Sequence, residues 1–253
     1  MSSQPETLFA SDLDSSPLLL PAKILRNDAE ALQAAHELAQ VARQQAARRD
    51  QQRKLPWAEI ELFTRSGLGS ISIPKAFGGP DVSFETVAEV FRIISAADPA
   101  LGQIPQNQFG MLQLLRLTAS EAQQALIFRS VLDGWRIGNA GPERGSKDTL
   151  TLKARISRDG EGYRISGEKF YSTGALFAHW VAVKALDDEG ASAWHSCAVA
   201  ALACVSSTTG PALANAPRPA ARCCSTRCRW TRNWSSTTGV SATCRTSRAR
   251  PRN

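Results

Sequence analysis

The sequence predicts an α+β chain, an all-α N-terminal domain followed by an incomplete antiparallel β domain. Three observations carry this. Apolar residues recur at three- and four-residue spacing between Asn27 and Trp135, then alternate every second residue from Leu150 onward. Capping residues stand at several of the helix starts. After Gly190 the composition changes abruptly and the β pattern stops. The chain divides accordingly into a disordered N-terminus over 1–24, a helical domain over 25–135, the start of a β domain over 136–190, and a tail over 191–253.

Residues 1–22 are polar with a Pro-flanked Leu run and predict no regular structure. Asp28 can cap a helix reaching about Arg49, with Leu32, Ala35, Leu38, Val41 and Ala42 on one face. Pro56 starts a second helix ending near Gly67, with Trp57, Ile60, Leu62 and Phe63 as its apolar residues. Ser70 to Pro74 reads as a short extended run, and Gly78-Gly79-Pro80 as a turn. Ser83 to Ala96 is a helix whose apolar face holds Phe84, Val87, Val90, Phe91 and Ile94. Ala100 to Leu117 is helical. Ser120, with Gln123 three residues on, forms a capping box for a helix ending near Trp135. Leu150 to Ile156 and Tyr163 to Ile165 are strands about an Asp159–Gly162 turn. Gly167 to Tyr171 and Trp180 to Leu186 are further strands.

Charge excludes one function class once it is located. The 253 residues sum to +7, yet residues 191–253 hold nine Arg and no Lys, Asp or Glu. Residues 1–190 therefore carry 21 basic and 23 acidic groups, and neither a nucleic-acid nor an anionic-membrane partner is expected. No run approaches the roughly 18 apolar residues of a membrane span. The N-terminus has no basic and apolar leader pattern, so a cytoplasmic location is expected.

All six Cys also lie after 190. A disulfide-stapled module is one reading, and a zinc site from Cys223, Cys224, Cys228 and His195 another, although that spacing fits no common zinc pattern. The tail's 63 residues include only five from Ile, Leu, Val, Phe, Met and Tyr, too few to offset chain entropy. A natural disordered tail is the plain reading. A reading-frame shift is the sharper one. Ser206-Ser207-Thr208-Thr209-Gly210 can be encoded TCG TCG ACG ACT GG, which one base back reads Val-Val-Asp-Asp-Trp. Retranslated with GC-rich codons, the tail regains alternating apolar residues, Gly-containing turns and balanced charge together. One lost C after the Gly190 codon suffices. In that reading the tail's basicity and cysteines say nothing about partners or redox compartment, and the segment is unstructured.

The body holds no Walker-type loop, no strand followed by GxGxxG, no GxSxG and no Cys nucleophile. No metal-ligand cluster is present. His36 lies in an amphipathic helix, and His179 precedes a strand as a packing or hydrogen-bonding residue. Two polar loops remain. Ile137 to Asp148, containing Asn139, Ala140, Gly141 and Ser146, is small enough for a ligand to approach its backbone. Lys169 to Ala175, containing Tyr171, Ser172 and Thr173, offers an aromatic face beside hydroxyls, suited to a flat ring with heteroatoms. Each is also readable as a plain turn.

Taken together, IPKAFGGP, the helix ending at Trp135, GPERGSKD, ISGEKFYSTGA and HWVAVKA resemble the acyl-CoA dehydrogenase superfamily over residues 25–190. The resemblance implies a helical domain, a middle β domain and a C-terminal four-helix domain, with flavin (FAD or FMN) between them. The C-terminal helices are missing from this chain as read. Where the dehydrogenases have T-E-P then G-S-D, this sequence has Ala140-Gly141-Pro142, then Gly145-Ser146-Lys147. The family's flavin-stacking Trp matches Tyr171, and its flavin-bonding Thr matches Thr173. With Gln106-Asn107-Gln108, these departures resemble the flavin-dependent monooxygenase and sulfur-acquisition branch, related to dibenzothiophene monooxygenase.

That branch implies a reduced-flavin and O₂ monooxygenase acting on small organosulfur molecules. By resemblance, Asn139, Ser172 and Thr173 bond the flavin edge with Ala140 alongside, and Tyr171 packs near the ring. Ser146 sits near a phosphate, and Asn107 lies on the substrate side. A flavin reductase or electron-transfer partner and a homotetrameric parent are implied as well. A dehydrogenase of CoA thioesters and a non-catalytic truncated product are the alternatives. No catalytic base can be named, and this chain is expected to be inactive as written.

Overall fold

The computed structural model describes residues 22–143, 151–159 and 162–198, with four short tail segments at 204–207, 220–223, 230–231 and 241–242. Six helices come first: α1 (Asp28–Gln52), α2 (Trp57–Arg65), α3 (Phe84–Ala97), α4 (Pro99–Gln103), α5 (Gln106–Thr118) and α6 (Glu121–Leu132). The strands follow: β1 (Ile137–Ala140), β2 (Arg155–Asp159), β3 (Gly162–Ser166), β4 (Trp180–Leu186) and β5 (Ser192–Ala198), then β6 (Cys204–Ser207), β7 (Ala220–Cys223), β8 (Trp230–Thr231) and β9 (Ser241–Ala242). Among the described residues, no helix is long and apolar enough to cross a membrane.

Several helix details differ from the sequence reading. Asn27, not Asp28, caps α1 by accepting from the Glu30 amide, while Asp28 accepts from the amide and hydroxyl of Ser83 at the start of α3. The buried face of α1 is built mainly from alanines, and Val41 is exposed. Small side chains let α3 lie close against α1. Phe84, expected on the apolar face of α3, is 80% exposed because it is the first residue after the Ser83 cap. The stretch from Ala100 to Leu117 is two helices, since Pro105 lacks the N–H that would carry α4 onward. The expected extended run over 70–74 is not formed: residues 68–70 are a 3-10 turn continuing into a turn and bend over 71–73, where Ile71 and Ile73 are buried. The Ser120–Gln123 capping box is formed as expected.

The expected antiparallel β domain is a mixed sheet. Strand order is β1-β4-β2-β3, with β5 on the other edge of β4. β1, read from sequence as loop, pairs in parallel with β4, Asn139 opposite Ala182. β2 and β3 form the expected hairpin, and Arg155 pairs in parallel with Leu186. One β4 edge is therefore shared by two segments, and a parallel start is what sequence alternation cannot reveal. Leu150 lies outside the described residues, and residues 167–171 are not a strand.

The tail also departs from expectation over 192–198. β5 pairs antiparallel with β4 along seven residues, from Trp180 opposite Ala198 to Leu186 opposite Ser192. The physical reason is that ladder hydrogen bonds use main-chain groups, so a strand of low apolar content can still cover a free edge. β6 pairs with β7, and β8 with β9.

Two packed regions join the halves. Phe177, after a glycine turn, enters the α1–α3 core and lies 4.3 Å from the Trp57 ring. Ile137 and Trp180, at the paired ends of β1 and β4, pack with Leu112, Phe128 and Val131. A buried carboxamide completes the joint. Gln108 Nε2 donates to Gly69 O (2.6 Å), and its Oε1 accepts from Ile137 N (2.9 Å). Arg49 binds Glu59 at 2.6 Å and also pairs with Asp98, tying α1 to α2 and to the start of α4.

His179 Nδ1 accepts from the Arg136 amide at 2.9 Å. Burial and the nearby Arg136 charge, only partly opposed by Glu61, push this imidazole down to about 4. The unfolded state therefore takes up the proton first as pH falls. The His179 contribution to stability is whole above about pH 6.5 and declines towards pH 4. An NMR titration is expected to find the His179 ring neutral at pH 5. Replacing Gln108 with Ala leaves the buried Ile137 N–H and the partly buried Gly69 carbonyl without these partners. Urea unfolding is expected to show a loss of about 2–4 kcal/mol.

Candidate functional site

Two loops flank the sheet at the ends of the segments that the sequence singled out. Asn139 lies in β1, and its amide donates to Thr173 O at 3.3 Å. Glycine permits this approach. A Cβ on Gly138 would come within 2.7 Å of Ala175 Cα, and one on Gly174 (φ +78°) within 2.8 Å of Ile104 O. The turn over 171–175 is thus wedged between β1 and the corner where α4 gives way to α5. Asn107, half-buried, lies in the first turn of α5 beyond that corner.

The turn itself is unusual. Tyr171 has φ +53°, in the left-handed region that bulky side chains rarely adopt, and its side chain is 55% exposed. The Thr173 amide donates to Tyr171 O at 2.8 Å, closing a tight turn. Ser172 is fully buried, and its Oγ has no hydrogen-bond partner. Asn139 Oδ1 is likewise buried and without a partner. A desolvated polar atom left without a partner costs about 1–3 kcal/mol. These two lie on segments bonded to one another and beside a strained turn; among the described residues Asp50 Oδ1, Ser72 Oγ and His195 Nε2 are also buried without a partner.

The structure thus brings Asn139, Tyr171, Ser172 and Thr173 together. Thr173 Oγ1 makes a long contact of 3.4 Å to Tyr171 O. Ala140 is buried and pairs with Val183, so its methyl lies on the sheet face opposite Asn139. Ser146 lies outside the described residues. Among the described residues, no group of His, Cys, Asp and Glu is placed to hold a metal ion.

Three neighbours escaped the sequence reading. Lys169 is buried, and its Nζ donates to Gly141 O (3.1 Å) and Glu143 Oε1 (2.7 Å). Glu143 also accepts from the amides of Lys153 (2.7 Å) and Ala154 (2.9 Å). Burial raises the Glu143 carboxyl, but the Lys169 hydrogen bond and these amides outweigh it and hold it below the ordinary carboxylate range. Trp194 of β5 lies over the backbone of the first loop, its Cη2 3.0 Å from where a Gly141 Cβ would stand. A charge partner 26 residues away leaves no local pattern, and Trp194 stands in a segment whose composition resembles no strand.

Residues 27–134 match the family described as Acyl-CoA dehydrogenase, N-terminal domain. Dibenzothiophene monooxygenase of Rhodococcus erythropolis is 32% identical over 151 residues, 58% of this chain and 36% of the relative. 3-Sulfinopropanoyl-CoA desulfinase of Paraburkholderia xenovorans (strain LB400) is 28% identical over 148 residues, 56% of this chain and 38% of the relative. The chain therefore spans little more than a third of these curated relatives. FMN-bound TdsC from Paenibacillus sp. A11-2 superposes with a TM-score of 0.70 at 24% identity, over 78% of this chain and 51% of that one. The fold is acyl-CoA dehydrogenase-like, and the mixed sheet after the helices is part of it.

Ser172→Ala removes a buried hydroxyl that has no partner and leaves the side-chain volume almost unchanged. The ligand-free chain is expected to unfold at the same temperature or higher, by an amount equivalent to about 1 kcal/mol at most, in differential scanning calorimetry.

Proposed function

We propose that this chain is the N-terminal portion of a flavin-dependent oxidoreductase, of the reduced-flavin and O₂ monooxygenase type that acts on small organosulfur molecules. The observation that carries the reading is the pair of partnerless buried atoms, Asn139 Oδ1 and Ser172 Oγ, on segments joined by the Asn139–Thr173 backbone bond. The relatives named for dibenzothiophene and sulfinate chemistry support the organosulfur class, and the FMN in TdsC supports the cofactor.

The residues fit a flavin edge. An isoalloxazine offers a ring N–H and carbonyl oxygens in one plane. Asn139 Oδ1 would accept an N–H, and the Ser172 hydroxyl would donate to a carbonyl. Thr173 lies next in the same turn, and Tyr171 presents an aromatic face where the ring would lie. Asn107 is assigned to the substrate side and Ser146 to a flavin phosphate. Bound flavin would supply the redox chemistry, reduction of O₂ and delivery of one oxygen atom to a soft sulfur. This chain's part is to bind and orient the ring and to keep one of its edges dry.

The remainder of the pocket falls to residues after 190 and to a further helical domain, as the resemblance implies. The frame of the gene after the Gly190 codon belongs to the same proposal, with residues 1–190 as the genuine helical and β portion and 191–253 as an out-of-frame tail. A small-molecule site normally buries about 70–90% of its ligand. One wall holds much less, so the chain as written is expected to lose FMN on gel filtration and to show no turnover. Resequencing across codons 188–195 tests the frame. With one base restored and the downstream gene read through, a yellow oligomeric protein able to accept electrons from a flavin reductase is expected. In it Thr173→Ala should weaken flavin binding by about 0.5–1.5 kcal/mol, read by equilibrium dialysis. A soluble, yellow, active protein from the unrestored gene would overturn the frame proposal. A colourless restored protein would overturn the flavin reading.

A further inference from the structure

We propose that Lys169 is the positioning residue of the candidate site, holding the loop after β1 and the Tyr171–Thr173 turn in the one arrangement that presents Asn139 and Ser172 together. The inference rests on the flavin reading and deepens it, since Lys169 itself bears no ligand-facing atom in this arrangement.

Geometry carries the argument. The Lys169 and Glu143 side chains are 1% and 4% exposed, so both charges are withdrawn from water. Nζ reaches two points in the first three residues after β1, Gly141 O at 3.1 Å and Glu143 Oε1 at 2.7 Å. The next residue, Phe170, donates its amide to Pro142 O at 2.9 Å. Glu143 in turn accepts the amides of Lys153 and Ala154, which lead into β2. Three stretches of chain, 141–143, 153–154 and 169–170, are thereby held around one buried ion pair. Tyr171 follows immediately, in its strained left-handed conformation. The strain persists only because the residues before it are fixed.

Energetics point the same way. A buried ion pair is often no more stabilising than apolar residues of the same volume, because desolvation offsets attraction. Simple core filling would be served by Leu or Met. An ammonium adds direction, with up to three donors aimed at chosen oxygens. Here two of those oxygens belong to the loop that ends the Asn139 strand.

The test uses the full 253-residue chain and three variants, Lys169→Met, Lys169→Arg and Glu143→Gln. Amide exchange at Asn139 and Phe170 reports the bonds between the two loops, and exchange at Val90 and Ile94 reports the helical core. Weak FMN binding is followed separately by chemical-shift titration. In Lys169→Met, exchange at Asn139 and Phe170 is expected to rise at least tenfold while that at Val90 and Ile94 stays within twofold. FMN binding is expected to weaken at least tenfold. Glu143→Gln, which keeps the side-chain shape, should show the same pattern more weakly, and Lys169→Arg should recover part of both losses. Exchange at the two loop amides within twofold of wild type in both Lys169→Met and Glu143→Gln overturns the proposal. So does a uniform rise that includes the helical core, which marks a general structural role. FMN binding is also titrated in the protein with the frame restored; if that protein shows no FMN-dependent shifts the flavin reading is refuted instead, and the exchange data still decide the role of Lys169.

Discussion

The Gln108 carboxamide faces two ways, donating to Gly69 O and accepting from Ile137 N. The placement of the sheet on the helices depends on it. Ile137 is the first residue of β1, and β1 fixes β4 by parallel pairing. A side chain that answers both a donor and an acceptor tolerates little displacement, because a lateral shift breaks two bonds at once, one buried and one partly buried. Apolar contact alone, as between Phe177 and Trp57, is less directional and would permit sliding. The helical core supplies the attraction and Gln108 supplies the register.

From that register the loops acquire their separation. β1 carries Asn139, and the turn carrying Ser172 and Thr173 is held against it by a backbone bond and by two glycines that allow near contact. Below them the buried ion pair ties the chain on either side. Each layer therefore rests on the one beneath, from α5 to β1 to the turn. Polar side chains at the top are left with buried oxygens that no protein group meets. Such a cost is sustained because the surrounding contacts over-determine the geometry.

Much of this was legible in the sequence. The helices followed from 3.6-residue periodicity, and the Ser120 capping box and the span of β4 were legible residue for residue. Polar turns that share small residues and hydroxyls marked both site loops. What escaped had no local signature. β1 is four residues long and contains Gly and Asn, so neither alternation nor β propensity announces it. The Phe84 and Val41 side chains fit a helical stripe yet face water, because a stripe is wider than the surface that its neighbours cover. Lys169 reads as a surface residue beside Glu168, and only the fold brings Glu143 to it. The edge strand β5 was missed because composition speaks of side chains, whereas that strand is placed by main-chain bonds.

A strand recruited mainly by main-chain pairing changes which parts of the polypeptide are open to other proteins. With β5 in place, Val181 and Val183 lie in the middle of the sheet rather than along its border, and seven β4 residues have partners on that side. Quality-control proteases and chaperones engage exposed extended backbone and apolar side chains. A chain whose coding sense ended near Gly190 would still hide that feature from them. The open border of a sheet can thus be covered by a segment whose composition does not read as a strand.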